Sequence, residues 1–216
     1  MNNISCLIFD FDGVIADTNW ARFQILKKIL IDYDIFLETK DLQNLIGCST
    51  KSFLKTNFSK LSEKDLNEII NKRHREYLSN LNKYCIPFKD MSKIIQQLYK
   101  KYDLAIVTTN TYKNIKIQLQ HLKIYNYFKW IIGREYSEDD FQMKTYKKIP
   151  TIIRKKVKEC IVIEDSEVGI TSAKKTGYYC IKFNPYKKKD TNDEKYDDMA
   201  FDYIELKNKI IWYSTS

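Results

Sequence analysis

Cys6-Leu7-Ile8-Phe9-Asp10-Phe11-Asp12-Gly13-Val14-Ile15-Ala16-Asp17-Thr18 is an apolar run that ends abruptly in acid. The continuous apolar character of Cys6–Phe9, with no alternation, predicts a strand covered on both faces, as in a parallel sheet. Asp10 and Asp12 stand two residues apart, so an extended backbone points both to the same side. Like charges that close raise one pKa or demand a cation. Asp12-Gly13 also has the chemistry of a simple turn, so the pair alone does not decide between a turn and a charged site.

Working outward, three more runs read as strands: Leu104–Val107, Cys160–Ile163 and Tyr179–Phe183, with Trp130–Ile132 a weaker fifth that ends at Gly133. Between them lie helical spacings, at Met91, Ile94, Ile95 and Leu98, and again at Ile149, Ile152, Ile153 and Val157. Strand and helix alternate, which predicts an α/β fold with a doubly wound, mainly parallel, Rossmann-like sheet that binds ligands at the carboxyl ends of its strands. One stretch breaks the alternation. From Ile15 to Cys85 there are helical stripes (Phe23, Leu26, Leu30, Tyr33; then Leu66, Ile69, Ile70, Tyr77, Leu81) and no convincing strand. The expected organisation is therefore a catalytic core at 1–14 and 86–216, with a helical cap at 15–85 inserted after the first strand. The Lys/Asp-rich segment 187–194 reads as a surface loop.

A second acidic strand end follows Cys160–Ile163 as Glu164-Asp165-Ser166-Glu167-Val168-Gly169. Two acidic strand ends meeting at one crevice point to an oxygen-liganded hard cation, sized for Mg²⁺. The strand Leu104–Val107 ends in Thr108-Thr109-Asn110, which brings a hydroxyl and backbone N–H groups to the same edge. Such groups bind phosphate, and the same residue types also cap ordinary helices. Lys144 lies in the connection toward Glu164 and supplies a positive charge.

This order of motifs resembles the haloacid dehalogenase superfamily, in the branch with a helical cap after the first strand, similar to phosphoglycolate phosphatases and β-phosphoglucomutase-like phosphatases. The resemblance runs from Ile4 to about Phe183 and rests on Phe9–Thr18 and on Ile163-Glu164-Asp165-Ser166, with Gly169, Ala173 and Gly177 following. It implies a magnesium-dependent phosphatase acting on a small phosphate monoester through an aspartyl-phosphate. Asp10 would be the nucleophile and Asp12 the general acid and base. Mg²⁺ would be held by Asp10, the backbone carbonyl of Asp12 and Asp165, with Glu164 behind them. Thr108, the Thr109 N–H, Asn110 and Lys144 would hold the phosphoryl group. The chain departs from the family pattern where proline commonly follows the motif lysine, since here Thr145 follows Lys144. The short distance from Lys144 to Asp165 leaves Lys147 and Lys148 open for that role.

Within the fold, an acid at Asp12 favours phosphoryl transfer over dehalogenation. A sugar-phosphate mutase is the alternative, but the matching cap positions, Arg22 and Arg73, do not reproduce the histidine and lysine expected of one. Lys51 is only a faint echo of a phosphonate-cleaving lysine. A catalytically silent binding module is the reading from another class, and the intact acidic set argues against it. Arg22, Lys51 and Arg73, with Gly47–Lys51 read as a polar loop, are the cationic cap residues expected to read the rest of the substrate.

Composition narrows the alternatives. The net charge of +9 raises the question of nucleic acid, but lysines are scattered along the whole chain with no accompanying motif, so a solvated basic surface that steers anions is expected. No apolar run approaches the roughly 18 residues of a membrane span. The five cysteines show no metal-ligand spacing and read as reduced, buried thiols. Met1-Asn2-Asn3-Ile4 carries no basic leader pattern, giving the expectation of a cytoplasmic protein, monomeric or else dimeric, without nucleic-acid or membrane partners.

Overall fold

The computed structural model describes residues 3–45, 49–134, 146–186 and 195–215. It divides into two compact units, Met1–Ala16 with Pro87–Ser216, and Asp17–Ile86.

The first unit is built on strand β1 (Cys6–Phe9), whose four residues are fully buried. Burying each large apolar side chain there is worth about 1.5–3 kcal/mol. The chain leaves this unit at β2 (Ala16–Asp17) and re-enters at β3 (Ile86–Pro87), two-residue strands that pair with each other. After β3 come helix α6 (Met91–Tyr99), β4 (Asp103–Val107), α7 (Tyr112–His121) and β5 (Trp130–Ile132). Beyond these lie α8 (Ile149–Ile153), β6 (Cys160–Glu164), α9 (Glu167–Thr176), β7 (Tyr179–Phe183), β8 (Asp198–Ala200) and α10 (Tyr203–Thr215). Six strands form one sheet in the order β5-β4-β1-β6-β7-β8, and every neighbouring pair is parallel. From β1 the chain adds β4 and β5 on one side, then returns to add β6, β7 and β8 on the other. The strand order thus reverses at β1, which is where open α/β sheets bind ligands.

The strand runs predicted from apolar continuity are present, with β4 and β6 each one residue longer. The helical spacing predicted through Val157 is not one helix. Helix α8 stops at Ile153 because Arg154 adopts a left-handed conformation at φ 53°, and Val157 lies in a short 3-10 turn. Strand β8 carries no apolar run that would predict it. The segment 187–194, read as a loop, lies outside the described residues.

The second unit holds α1 (Asn19–Leu30), α2 (Asp41–Leu45), α3 (Thr50–Asn57), α4 (Glu63–Ser79) and α5 (Leu81–Tyr84). Helices α1 and α4 pack through the expected stripes, burying Phe23, Leu26 and Leu30 on one and Leu66, Ile69 and Tyr77 on the other. Helix α4 starts at a capping box in which Ser62 and Asp65 satisfy each other's backbone N–H groups. Thr50 and Lys51, expected in a polar loop, instead form the first turn of α3, because the Ser49 hydroxyl accepts the Ser52 N–H at 3.0 Å and caps the helix there. Gly47 and Cys48 lie outside the described residues. Among the described residues, no helix is long and apolar enough to cross a membrane.

Candidate active site at the carboxyl ends of the strands

Parallel register brings three strand ends level. Phe9 stands opposite Ile106 of β4 and Ile163 of β6, and the Asp10 N–H donates to the Ile163 carbonyl at 2.9 Å. The next residue on each strand therefore belongs to one row: Asp10, Val107 with Thr108 just beyond, and Glu164 with Asp165 just beyond.

After Asp10 the backbone folds back tightly. The N–H groups of Ile15 and Ala16 converge on the Phe11 carbonyl at 2.9 and 3.3 Å, and the Gly13 N–H reaches the Ala16 carbonyl at 2.9 Å. Gly13 sits at φ 86°, a conformation that a Cβ would strain. From α10 the buried Tyr203 hydroxyl donates to the Val14 carbonyl at 2.9 Å, tying the loop to the far end of the chain. Burial pushes that phenol well above its ordinary value, so it remains a donor. Asp10 and Asp12 thus project from a loop closed by its own backbone and clamped from outside.

Carboxylate oxygens of Asp10, Glu164 and Asp165 all lie within 4.8 Å of one another. Asp10 is 7% exposed and Glu164 is fully buried. Clustered carboxylates in a dry site are costly unless a cation or several donors compensate them. An all-oxygen donor set fits a hard divalent ion. The Asp12 carboxylate is not part of this group.

Glu164 is held more firmly than its place in an acidic pair suggested. Its Oε1 accepts the Tyr146 hydroxyl at 3.0 Å, while its Oε2 accepts the Ser166 hydroxyl at 3.1 Å and the Ser166 N–H at 3.3 Å. Ser166 also caps α9 by accepting the Gly169 N–H at 3.1 Å, so the carboxylate lies against a helix N-terminus, which favours negative charge. Gly169 is what makes this approach possible. A Cβ there would stand 2.1 Å from Glu164 Oε1 and 2.2 Å from its Cδ. The Tyr146 phenol is fully buried; that burial, and then the neighbouring Glu164 and Asp10 carboxylates, push its pKa well above the ordinary value. It is a hydrogen-bond donor at any physiological pH.

Just past β4, Thr108 is buried and its hydroxyl accepts the Asn110 N–H at 3.1 Å, leaving its hydrogen to be donated elsewhere. Asn110 turns its Oδ1 back to the Thr111 N–H at 2.9 Å and the Asn114 amide at 3.0 Å, which fixes the start of α7. Thr109 is exposed.

Lys144 lies outside the described residues. Of the two alternatives, Lys147 is exposed and Lys148 is half-buried at the start of α8. In the helical unit, Arg22 on α1 and Arg73 on α4 are half-buried. Lys51 is engaged by Glu63 at 2.8 Å, and Lys55 joins the same carboxylate. Together the two lysines pull the Glu63 carboxyl down to about 2. Tyr146 went unnoticed in the sequence because tyrosine among lysines looks like surface. The signal for Gly169 was present, since a glycine three residues after a capping serine is costly in a helix and marks a close approach.

Residues 7–183 match the family model described as haloacid dehalogenase-like hydrolase. A Bacillus subtilis (strain 168) protein, YhcW, provisionally named a phosphatase, is 22% identical over 193 residues, covering 82% of each chain. Among solved structures, a protein from Haemophilus somnus 129PT, titled a predicted phosphoglycolate phosphatase, superposes with a TM-score of 0.83 at 17% identity, covering 98% of this chain and 99% of that one. β-Phosphoglucomutase of Clostridium difficile gives 0.79 at 19% identity, covering 98% and 96%. Magnesium-bound YfnB of Bacillus subtilis gives 0.74 at 19%, covering 96% and 99%. At these identities the structural likeness establishes a shared fold.

Proposed function

The chain belongs to the haloacid dehalogenase-like hydrolases, and from that premise we propose that it is a magnesium-dependent phosphatase that hydrolyses a small phosphate monoester with Asp10 as covalent nucleophile. The observation that carries this reading is the convergence of the Asp10, Glu164 and Asp165 carboxylates at the strand ends where Thr108 also lies. A small phosphorylated metabolite, such as a sugar phosphate, fits a site where the buried Thr108 hydroxyl can donate to the phosphoryl oxygens. The phosphatase name of YhcW and the magnesium of YfnB agree with it.

In the proposed reaction an Asp10 oxygen attacks phosphorus in line, and the bond from phosphorus to the substrate oxygen breaks. Asp12 gives its proton to the departing oxygen. Water then attacks the aspartyl-phosphate as Asp12 takes a proton back, releasing inorganic phosphate and restoring Asp10. Thr108 and the Thr109 N–H hold the non-bridging oxygens, assisted by Asn110 and by a lysine, Lys144 or one of its neighbours Lys147 and Lys148. Asp10, the Asp12 carbonyl and Asp165 would hold the ion, with Glu164 behind them. Bound there, Mg²⁺ would offset the repulsion between anionic nucleophile and anionic phosphate. Arg22, Lys51 and Arg73 of the helical unit are assigned to reading the remainder of the substrate.

The test is phosphate release from p-nitrophenyl phosphate by purified protein, with and without chelation, beside Asp10→Asn. Magnesium-dependent release that Asp10→Asn abolishes is expected. Near-normal turnover by that variant removes the covalent mechanism, and activity surviving thorough chelation removes the metal site.

A further inference from the structure

We infer that Tyr146 is a positioning residue of this site, whose hydroxyl holds the Glu164 carboxylate in place behind the cation that Asp10 and Asp165 would share. The inference rests on the phosphatase reading and extends it to a residue outside the acidic motifs.

Glu164 is held from two directions. Ser166 holds Oε2 through its hydroxyl and N–H, both supplied by the cap of α9. Both of those bonds reach the same oxygen, and the terminal torsion that carries the two oxygens together is broad for a carboxylate. The Tyr146 hydroxyl, 3.0 Å from Oε1, fixes that second oxygen. Gly169 supplies the bare backbone on which the carboxylate rests.

Tyr146 is itself rigidly held. Its ring is fully buried and meets the Tyr178 ring edge-on, with centroids 6.0 Å apart. Its backbone N–H donates to the Ser172 hydroxyl of α9 at 3.2 Å, which ties Tyr146 to the helix that caps Glu164. A buried phenol carried on packed backbone loses little freedom on forming its hydrogen bond. A flexible lysine amine in the same place would be a less exact guide. Groups that orient metal-binding side chains from behind commonly change metal affinity by about 10–100-fold when removed.

The test uses Tyr146→Phe, which removes one oxygen and keeps the packed ring. Two responses to Mg²⁺ are measured: the rise in melting temperature of the substrate-free protein, and phosphate release from p-nitrophenyl phosphate. The Mg²⁺ concentration at half-effect should rise by about 10–100-fold in both, while KM at saturating Mg²⁺ changes little. In a Glu164→Ala background, which removes the acceptor of the phenol, the same substitution should add less than about twofold, because the two residues act through one bond. If Tyr146→Phe melts poorly without metal, the Glu164→Ala pair of measurements is made with Tyr146→His, and additive losses then overturn the inference. A magnesium-responsive wild type whose Tyr146→Phe variant has unchanged half-effect concentrations overturns this inference and leaves the phosphatase reading standing. A wild type with no magnesium response overturns both.

Discussion

Gly169→Ala is the smallest change that tests the carboxylate cradle. Gly169 occupies the first turn of α9 with ordinary helical backbone, where alanine is normally better than glycine by about 0.5–1 kcal/mol. On propensity alone the variant should be more stable. The new Cβ, however, would stand 2.1, 2.2 and 2.5 Å from Glu164 Oε1, Cδ and Oε2, against an ordinary contact of 3.4 Å or more. The carboxylate must therefore retreat by about 1 Å, and nothing flexible separates it from the Cβ. Retreat breaks hydrogen bonds to a buried charge, each worth about 1.5–3 kcal/mol, so the net effect is destabilisation of roughly 1–3 kcal/mol despite the propensity gain. A 1 Å misplacement near reacting groups costs on the order of 10²-fold in rate. The assay is thermal melting beside kcat and Mg²⁺ half-saturation for p-nitrophenyl phosphate. A Gly169→Ala protein that is as stable as wild type or more so, and within threefold of its activity, would show that the space under Glu164 is not used as described.

Two further substitutions probe other parts of the molecule. Asp12→Ala should lower kcat by about 10²–10⁴, the usual worth of general acid–base catalysis, with little change in melting temperature; a loss under tenfold would assign proton transfer to water or another group. At the opposite end of the sheet, Asp103 meets Lys155 at 3.0 Å and Lys129 at 3.0 Å. Burial alone would raise the Asp103 carboxyl, but these hydrogen bonds outweigh it and hold it below its ordinary value, while Lys155 is raised, chiefly by Asp103. The aspartate's contribution is present above its unfolded value near 3.9 and fades as pH falls through the depressed one; that of Lys155 is present below about 10.4 and fades above it. Asp103→Asn should therefore cost about 0.5–1 kcal/mol at neutral pH, discounted for partial exposure. Denaturant melts of the two proteins should converge once pH falls below the depressed value of Asp103. A gap that persists unchanged at that pH would mean that packing, not charge, accounts for it.

The parts of this fold readable in sequence are those where one residue's environment repeats along the chain. Cys6–Phe9 and Cys160–Ile163 are covered on both faces, so burial writes an unbroken apolar run, and the acids that end each run mark where the strands reach solvent. Strand β8 escaped notice because it lies at the sheet's edge: Asp198–Ala200 buries only its last residue, and its strand geometry comes from pairing with Ile181–Phe183 rather than from its own side chains. The end of α8 was likewise hidden, since the apolar spacing continues to Val157 and only the backbone at Arg154 turns away. The same division holds in the site. Asp10, Asp12, Glu164 and Asp165 stand out because two acidic strand ends at one crevice are costly without a cation, and Thr108 stands out only beside them, since a hydroxyl there also caps helices. Tyr146 has no local signature, for the role inferred for it depends on a hydrogen bond to the last residue of β6, a helix and a strand away in the chain. Its burial, and the bare backbone of Gly169 beneath the same carboxylate, exist only once parallel pairing of β1 with β6 and the packing of α9 have brought distant segments to one place. Spacing along a chain records which face a residue shows, whereas three-dimensional packing sets which atom that face will meet.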